Sequence, residues 1–195
     1  MSETDELQLL IRTASRDRQA FEQLYHLFYH RLTRFLYRFT RRADAIEEIV
    51  NDTMFVVWQK ASDFRRKSSV STWIFGIAYR TALKDLRRRG RSPEQVALQD
   101  AKVDRMGALD PAVDRWELQD SLERALAGLS AEQRAVIELT YFHGYSCREV
   151  ADIVGCPVNT VKTRMFHARK RLRDALPSSR TGRSSIPDGR RGGQS

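Results

Sequence analysis

Cysteine, proline and glycine are all scarce in this sequence, and each shortage excludes a class of protein. Only two cysteines, Cys147 and Cys156, occur in 195 residues, without a CxxC pair. Neither a disulfide framework nor a zinc site is expected, and both thiols are interpreted as reduced small apolar residues, with a redox-sensing pair as the alternative. Five prolines and ten glycines are too few for a fibrous or largely disordered chain. The length allows one large domain or two small ones.

Long apolar runs are also missing. No stretch approaches the roughly 20 apolar residues that span a bilayer, and the first residues, MSETDELQ, are acidic where a signal peptide is basic and then apolar. We therefore expect a cytoplasmic protein that is not an integral membrane protein.

The motifs of the common enzyme classes are missing as well. The sequence contains no P-loop, no GxSxG and no HExxH. His26 and His30 have the spacing of a helical metal pair, but no further ligands accompany them, and the four histidines form no cluster. We expect no catalytic residues, no metal, no cofactor and no small-molecule substrate, so the protein is not predicted to be an enzyme.

Acidic residues are outnumbered. Lysine and arginine total 34 against 25 aspartates and glutamates, which gives a formal net charge of +9. This excess favours an anionic partner, a nucleic acid or an acidic membrane surface.

Helical periodicity dominates the first half of the chain. Apolar residues recur at spacings of three and four from Ala20 to Phe39, from Asp44 to Ala61 and from Thr72 to Arg89. Asp44 with Glu47 resembles a capping box at the start of the second helix. These patterns predict a three-helix bundle with Phe21, Phe28 and Phe35 in its core and a basic loop, Asp63 to Ser71, before the third helix.

The division into domains follows from two irregular stretches. Residues 91–115 contain Pro93 and Pro111 without a sustained apolar stripe, which is typical of a flexible linker. Residues 177–195 are rich in Ser, Gly and Arg, which predicts a disordered basic tail. We thus expect an all-α protein with two small helical domains, residues 1–90 and 116–176.

The second domain carries the most specific local signals. Ser130 with Gln133 and Ser146 with Glu149 have capping-box spacing, and Gly155 lies where a tight turn needs positive φ. Pro157 stands at the start of the next helix, where its missing N–H costs little. A helix over Cys147 to Val154, a glycine turn and a longer helix to Leu176 form a helix-turn-helix that binds duplex DNA.

The last helix divides into two faces. Val161, Met165, Ala168 and Leu172 fall on one side and predict packing, whereas the opposite side is polar and basic. Asparagine and threonine near its N-terminus can reach base edges, and its lysines and arginines suit phosphates or guanine. The predicted DNA-binding residues of this helix and its surroundings are Asn159, Thr160, Lys162, Thr163, Arg164, Phe166, His167, Lys170 and Arg171.

The first domain has a different nucleic-acid signal. Trp73 and Tyr79 lie between the basic loop Arg65-Arg66-Lys67 and the basic helix end around Arg88. Aromatic rings among cations can stack the bases of a single strand while the cations follow its backbone.

With these segments in their order, the chain resembles bacterial RNA polymerase sigma factors of the extracytoplasmic-function (ECF) type, in the sigma-70 family, from about Ala20 to Leu176. AIEEIVNDTMFVVW (Ala45 to Trp58) is similar to the family segment that binds a coiled coil of the largest polymerase subunit. STWIFGIAYRTALKDLRRR (Ser71 to Arg89) is similar to the segment that opens and reads the minus-10 element, and CREVADIVGCPVNTVKTRMFHARKRLR (Cys147 to Arg173) to the minus-35 reader.

The resemblance implies a sigma factor, with core RNA polymerase (the coiled coil and the flap) and promoter DNA as partners, a role in stress response, and control by an anti-sigma factor. It implies polymerase contacts from Asp44, Glu47, Glu48, Asn51, Asp52, Met54 and Trp58. For the minus-10 element it implies Arg65, Lys67, Ser69, Thr72, Trp73, Tyr79, Arg80, Lys84, Arg87 and Arg88. The sequence departs from the family pattern where Arg80 and Lys84 replace frequent Asn and Asp, and where Asn159 replaces a frequent Gly.

The alternative is a conventional helix-turn-helix activator or repressor whose first domain dimerises or senses a signal. It accounts for the second domain equally well and predicts binding to palindromic sites without polymerase.

Overall fold

A computed structural model describes residues 3–88, 125–126 and 128–175, all of whose regular elements are helical. The N-terminal module comprises α1 (Glu3–Ala14), α2 (Arg18–Leu36), α3 (Ala43–Lys60), a 3₁₀ turn (Ala61–Asp63) and α4 (Val70–Arg88). The C-terminal module comprises α5 (Ala131–Ile137), a π-helical turn (Glu138–Phe142), α6 (Cys147–Val154) and α7 (Val158–Ala175). The prediction of an all-α protein with two helical domains is confirmed. The linker and tail predictions, and residues 116–124 of the second predicted domain, lie outside the described residues.

The N-terminal module differs from the predicted three-helix bundle by one additional helix. Helix α1 packs on α2, where Glu6 accepts a 2.7 Å hydrogen bond from Arg31, and it buries Leu9 and Leu10. The start of α3 is also corrected, because the residue at its N-cap is Arg42 and no side chain caps it. Asp44 lies in the first turn, where its carboxylate pairs with the Arg42 guanidinium.

The N-terminal core is aromatic and aliphatic. Phe28 and Phe35 of α2 are fully buried, as predicted, whereas Phe21 is only half-buried and packs on Trp58 with ring centroids 5.0 Å apart. The ring centroids of Phe35 and of Phe75 in α4 lie 5.3 Å apart. Each fully buried side chain of this size contributes about 1.5–3 kcal/mol relative to an exposed one, so these contacts fix the positions of α2 and α4.

Local signals define the C-terminal module. Both predicted capping boxes are present: Ser130 with Gln133 starts α5, and Ser146 with Glu149 starts α6. Gly155 ends α6 with φ of 68°, a left-handed conformation that glycine adopts without steric cost. The tight turn at Gly155 therefore joins α6 to the N-terminal end of α7 in a helix-turn-helix arrangement.

The two modules pack against each other. Helix α6 lies on α4, and the buried residues of both modules form one continuous core. Two hydrogen bonds connect the modules. Arg134 donates to the Arg38 carbonyl at 2.6 Å, and the Tyr145 hydroxyl donates to Ser71 Oγ at 3.0 Å.

Candidate nucleic-acid interface

Helix α7 presents a polar surface opposite its packed face. Val161, Met165 and Ala168 are buried, as the periodicity predicts, and Leu172 is half-buried. On the outer side most of the predicted DNA-binding side chains are exposed: Asn159, Lys162, Thr163, Phe166, His167, Lys170 and Arg171. An exposed stripe of this kind, at the second helix of a helix-turn-helix, has the form of a recognition helix.

Several of these side chains are already held by the protein. Thr163 donates to the Asn159 carbonyl at 3.0 Å, and Arg171 lies within 3.4 Å of the Gly128 carbonyl. Arg164 is half-buried with its guanidinium 3.7 Å from the Cys156 sulfur, and Thr160 is also half-buried. The other exposed side chains of the predicted face are Asn159, Lys162, Phe166, His167 and Lys170.

Phe166 is the largest exposed apolar side chain on α7, with 63% of its surface accessible. Its ring meets that of His167 edge-on, with centroids 5.5 Å apart. An exposed phenyl group on a recognition helix can contact the C5-methyl group of thymine in the major groove.

A second candidate site lies between α3 and α4. A cleft of about 450 Å³ is lined by Lys60, Trp73, Arg80 and Lys84, together with Val56, Asp63, Ile77 and Thr81. Trp73 is half-buried, with its ring 5.4 Å from that of Phe64. The cleft thus brings together three predicted minus-10 residues, Trp73, Arg80 and Lys84. Lys60 also lines the cleft, but it was not predicted because it lies at the end of α3.

Other predicted minus-10 residues lie elsewhere. Arg65, Lys67 and Arg87 are exposed, whereas Ser69 is half-buried and accepts a 3.1 Å hydrogen bond from the Thr72 amide at the start of α4. Thr72 and Tyr79 are buried, with 2% and 3% exposure. Neither of these two side chains reaches the surface in this conformation, which differs from the expectation.

The burial of Tyr79 has a three-dimensional cause. Its ring lies 6.0 Å from that of Phe39, and burial raises the pKa of its hydroxyl to about 12. Glu132 and Cys156, from the C-terminal module, also raise this pKa, whereas Arg164 and Arg87 lower it. Tyr79 is not among the residues that line the cleft.

The outer face of α3 is acidic and polar. Asp44, Glu47, Glu48, Asn51 and Asp52 are all exposed on it. Trp58 is half-buried beneath the Arg16 guanidinium, 5.3 Å from the ring centroid, and Met54 is 1% exposed in the core. The interpretation of Met54 as a surface contact is therefore revised, because its side chain packs inward.

Two residues extend this face beyond the prediction. Phe55 is 59% exposed beside Asp52 in a groove between α3 and α4, and Tyr25 of α2 donates to Asn51 at 2.8 Å. Phe55 could have been predicted to be exposed, because it is an apolar residue that lies out of phase with the buried stripe of α3. Glu48 also accepts from Arg88 at 2.7 Å, which joins the predicted polymerase and minus-10 residues into one surface.

Neither a metal site nor a membrane-spanning helix is found in the described ranges. No group of three or more His, Cys, Asp or Glu side chains there could hold a metal ion. Within the same ranges, no helix is both long enough and apolar enough to cross a bilayer. Cys147 and Cys156 are half-buried and free.

Comparison with known protein families places both modules. The family described as Sigma-70 region 2 matches residues 24–92, and Sigma-70, region 4 matches residues 119–172. The chain is 37% identical over 168 residues to the ECF RNA polymerase sigma factor RpoE of Cereibacter sphaeroides, covering 83% of this chain and 88% of that protein. It is 30% identical to the ECF sigma factor SigM of Mycobacterium tuberculosis, covering 92% and 89%.

Solved structures agree with these sequence relatives. The structure of CnrH in complex with the cytosolic domain of CnrY matches with a TM-score of 0.64 at 25% identity, covering 87% of this chain and 96% of that one. RpoE of Bartonella quintana, in complex with the anti-sigma factor NepR, matches with a TM-score of 0.61 at 28% identity, covering 82% and 98%. The fold and its helix-turn-helix are those of a transcription initiation factor. The chain belongs to the ECF group of sigma-70 family sigma factors, the proteins that direct RNA polymerase to promoters.

Proposed function

We propose that α7 reads the minus-35 element of the promoter. Asn159 and Phe166 are exposed and can reach base edges, while the exposed Lys162 and Lys170 can contact phosphates. The observation that carries this assignment is the division of α7 into a buried apolar face and an exposed polar face immediately after the Gly155 turn. Phosphate contacts position the helix and base contacts supply sequence preference.

The cleft between α3 and α4 is the candidate for the minus-10 strand. Trp73 offers a ring for stacking, and Lys60, Arg80 and Lys84 place positive charge around it. Extruding a base costs a few kcal/mol, and one or two stacking contacts of about 1–3 kcal/mol each offset that cost. The cleft therefore has the chemistry to hold an extruded base and stabilise an opened strand.

Helix α3 is the candidate contact with core RNA polymerase. Its exposed acids, together with Asn51 and the exposed Phe55 ring, combine polar and apolar surface of the kind found at protein interfaces. The chain carries out no reaction of its own in this proposal, and the polymerase, with which it acts in the cytoplasm, performs the synthesis.

Control by an anti-sigma factor completes the proposal. RpoE of Bartonella quintana, which this chain resembles in fold, was solved with its anti-sigma factor NepR. A partner of this type would cover the polymerase-binding or DNA-binding surfaces until it is released.

Run-off transcription tests the central assignment. Core polymerase is mixed with stress-type promoter templates, with and without the purified protein, and the transcripts are sized. Specific initiation that depends on the protein supports the proposal. Tight binding to duplex promoter DNA without any specific transcript would favour a conventional helix-turn-helix regulator instead.

A further inference from the structure

The cleft between α3 and α4 is lined by side chains of both charge signs. Lys60, Arg80 and Lys84 are basic, and Asp63, at the end of the 3₁₀ turn, is the one carboxylate among the lining residues. All four are exposed, and no hydrogen bond or ion pair joins any two of them in the part of the chain that the structure describes. Three hydrogen-bond donors and one acceptor are therefore open to a ligand in the same cleft.

The turn that carries Asp63 is anchored on both sides. Ala61 is buried, with 5% exposure, and the Phe64 amide donates to the Ala61 carbonyl at 3.3 Å. The Phe64 ring packs on Trp73 with centroids 5.4 Å apart. The Asp63 carboxylate thus belongs to a fixed turn, and it borders the same cleft as the Trp73 ring.

Gly76 lets the Arg80 guanidinium turn back along α4. A Cβ atom on Gly76 would lie 3.4 Å from Arg80 Nη1 and 3.6 Å from the Ile153 carbonyl oxygen of α6. Gly76 comes three residues after Trp73, so the two are neighbours on the helix surface. The donors of Arg80 are therefore directed along α4 toward Trp73.

A base that stacks on Trp73 would present its edges to these charges. Guanine offers O6 and N7 as acceptors, which suit arginine and lysine, and its Watson–Crick edge carries two neighbouring donors, N1–H and the N2 amino group. A carboxylate only accepts, and its two oxygens can accept both of these bonds at once. Adenine, cytosine and thymine each offer a single donor group on that edge, so guanine matches the cleft better than the other three bases.

We propose that the cleft selects guanine as the extruded base, with Asp63 accepting from its Watson–Crick edge and the basic residues donating to O6 and N7. Trp73 stacks on the ring without preference, because every base has a π face. Asp63 then supplies the specificity. This inference rests on the strand-binding function proposed for the cleft.

Strands that carry a single base test the selection. Fluorescein-labelled strands of about nine nucleotides have one central base and abasic sites elsewhere, which leaves one register with a base in the cleft. The full-length protein should bind the guanine strand about tenfold more tightly than the adenine, cytosine or thymine strand, which is the scale of one bidentate base contact. A hypoxanthine strand, which lacks the N2 amino group, should lose most of this advantage. Equal affinity for all of these strands would overturn the proposal.

The variant Asp63→Asn should exchange the preferred base. The asparagine amide has one accepting oxygen and one donating nitrogen, so it suits xanthine, which has a carbonyl oxygen where guanine has the N2 amino group. The variant should bind a xanthine strand about tenfold more tightly than the guanine strand, the reverse of the wild-type order. Glu22→Gln removes an exposed charge from α2, outside the cleft, and should keep the wild-type order. A guanine preference that survives in Asp63→Asn would reject the role of Asp63.

The same strands separate this inference from the proposed function. Preference is a ratio of affinities within one protein, so neither the altered net charge of a variant nor a loss of folded protein changes it. Trp73→Ala tests strand binding itself and should weaken the binding of every strand that carries a base. If Trp73→Ala weakens binding but guanine has no advantage, the inference fails and the strand site stands. If Trp73→Ala changes no affinity and all bases bind alike, the proposed function of the cleft fails as well.

Discussion

Arg38 Nε donates to the Glu138 carboxylate at 3.1 Å, although the two residues are 100 positions apart in the chain. Burial raises the pKa of Glu138, and the Arg38 charge acts in the opposite direction by favouring the ionised carboxylate. The second carboxylate oxygen lies 4.0 Å from His143 Nε2. One largely buried group of three side chains, Arg38, Glu138 and His143, therefore joins the two modules.

Replacing Arg38 should destabilise the protein. Arg38→Ala leaves the Glu138 carboxylate buried without its hydrogen-bond donor, which we expect to lower the free energy of unfolding by about 2–4 kcal/mol. Arg12→Ala removes an exposed ion pair with Asp17 and should cost less than about 1 kcal/mol. Urea unfolding at neutral pH, followed by circular dichroism, measures both. Equal effects would mean that the Arg38 bond adds nothing beyond a surface pair.

His143 should make stability depend on pH. Burial, with Arg31 and Arg34 nearby, lowers its pKa from 6.5 to about 4 in the folded state. Between those two values the unfolded chain binds more protons, so stability falls as the pH falls through this window, by at most about 3 kcal/mol. Glu138 acts with the opposite sign, because its raised pKa favours protonation in the folded state.

The variant His143→Gln isolates the contribution of the imidazole. Glutamine does not titrate, so the variant should lose less stability than the wild type between pH 6.5 and pH 4. Unfolding curves at several pH values give the difference in slope. Parallel curves for the two proteins would show that His143 takes up its proton without cost in the folded state.

The glycines of the two modules should respond in opposite directions to alanine. Gly155 has φ of 68°, and a Cβ atom there meets nothing within 4 Å, so the cost of Gly155→Ala is backbone strain of about 1 kcal/mol or more. Gly76 lies within α4, where alanine is preferred over glycine by about 1 kcal/mol. Thermal unfolding should show a lower midpoint for Gly155→Ala and an equal or higher one for Gly76→Ala. A drop for Gly76→Ala would show that α6 cannot accommodate even one methyl group.

Sequence patterns correctly predicted the helices whose ends are determined by interactions between residues close together in the chain. Capping pairs such as Ser146 with Glu149, and the left-handed Gly155, act within a few residues, so α6 was predicted with the bounds that the structure has. Helix α1 was missed because its apolar residues are few. Its position depends on Arg31, 25 residues away from its partner Glu6.

In the candidate site, too, the features that depend on local sequence were predicted and those that depend on distant contacts were not. The outer face of α7 follows from helical periodicity, since exposure there depends on one helix packing on its neighbours. Tyr79 has basic residues near it in sequence, yet its ring is covered by Phe39 and the C-terminal module. Contacts between segments so far apart leave no periodic signal, so the burial of Tyr79 and the packing of the two modules could not be read from the pattern.

Trp73 should matter for strand opening and not for duplex binding. Trp73→Ala removes the ring that lines the cleft between α3 and α4, and we expect a loss of about 1–3 kcal/mol in binding to the opened strand. Permanganate reactivity of thymines in the minus-10 region, measured with polymerase present, should fall, while footprints over the minus-35 element should remain. Trp73→Phe is the control, because it keeps an aromatic ring beside Phe64. If the alanine variant opens the promoter normally, Trp73 serves only to pack the cleft wall.

Asn159 and Lys170 should separate base reading from phosphate contact. Both are exposed on the outer face of α7, near its beginning and toward its end. Asn159→Ala should change the preference at individual minus-35 base pairs by about 1–3 kcal/mol, because an amide can bond base edges. Lys170→Ala should weaken binding to all sequences alike and reduce the salt dependence by about one phosphate contact. Competition binding with a library of minus-35 variants, repeated at several salt concentrations, distinguishes the two effects. If both variants change only the salt dependence, α7 lies along the backbone and the bases are read by other residues.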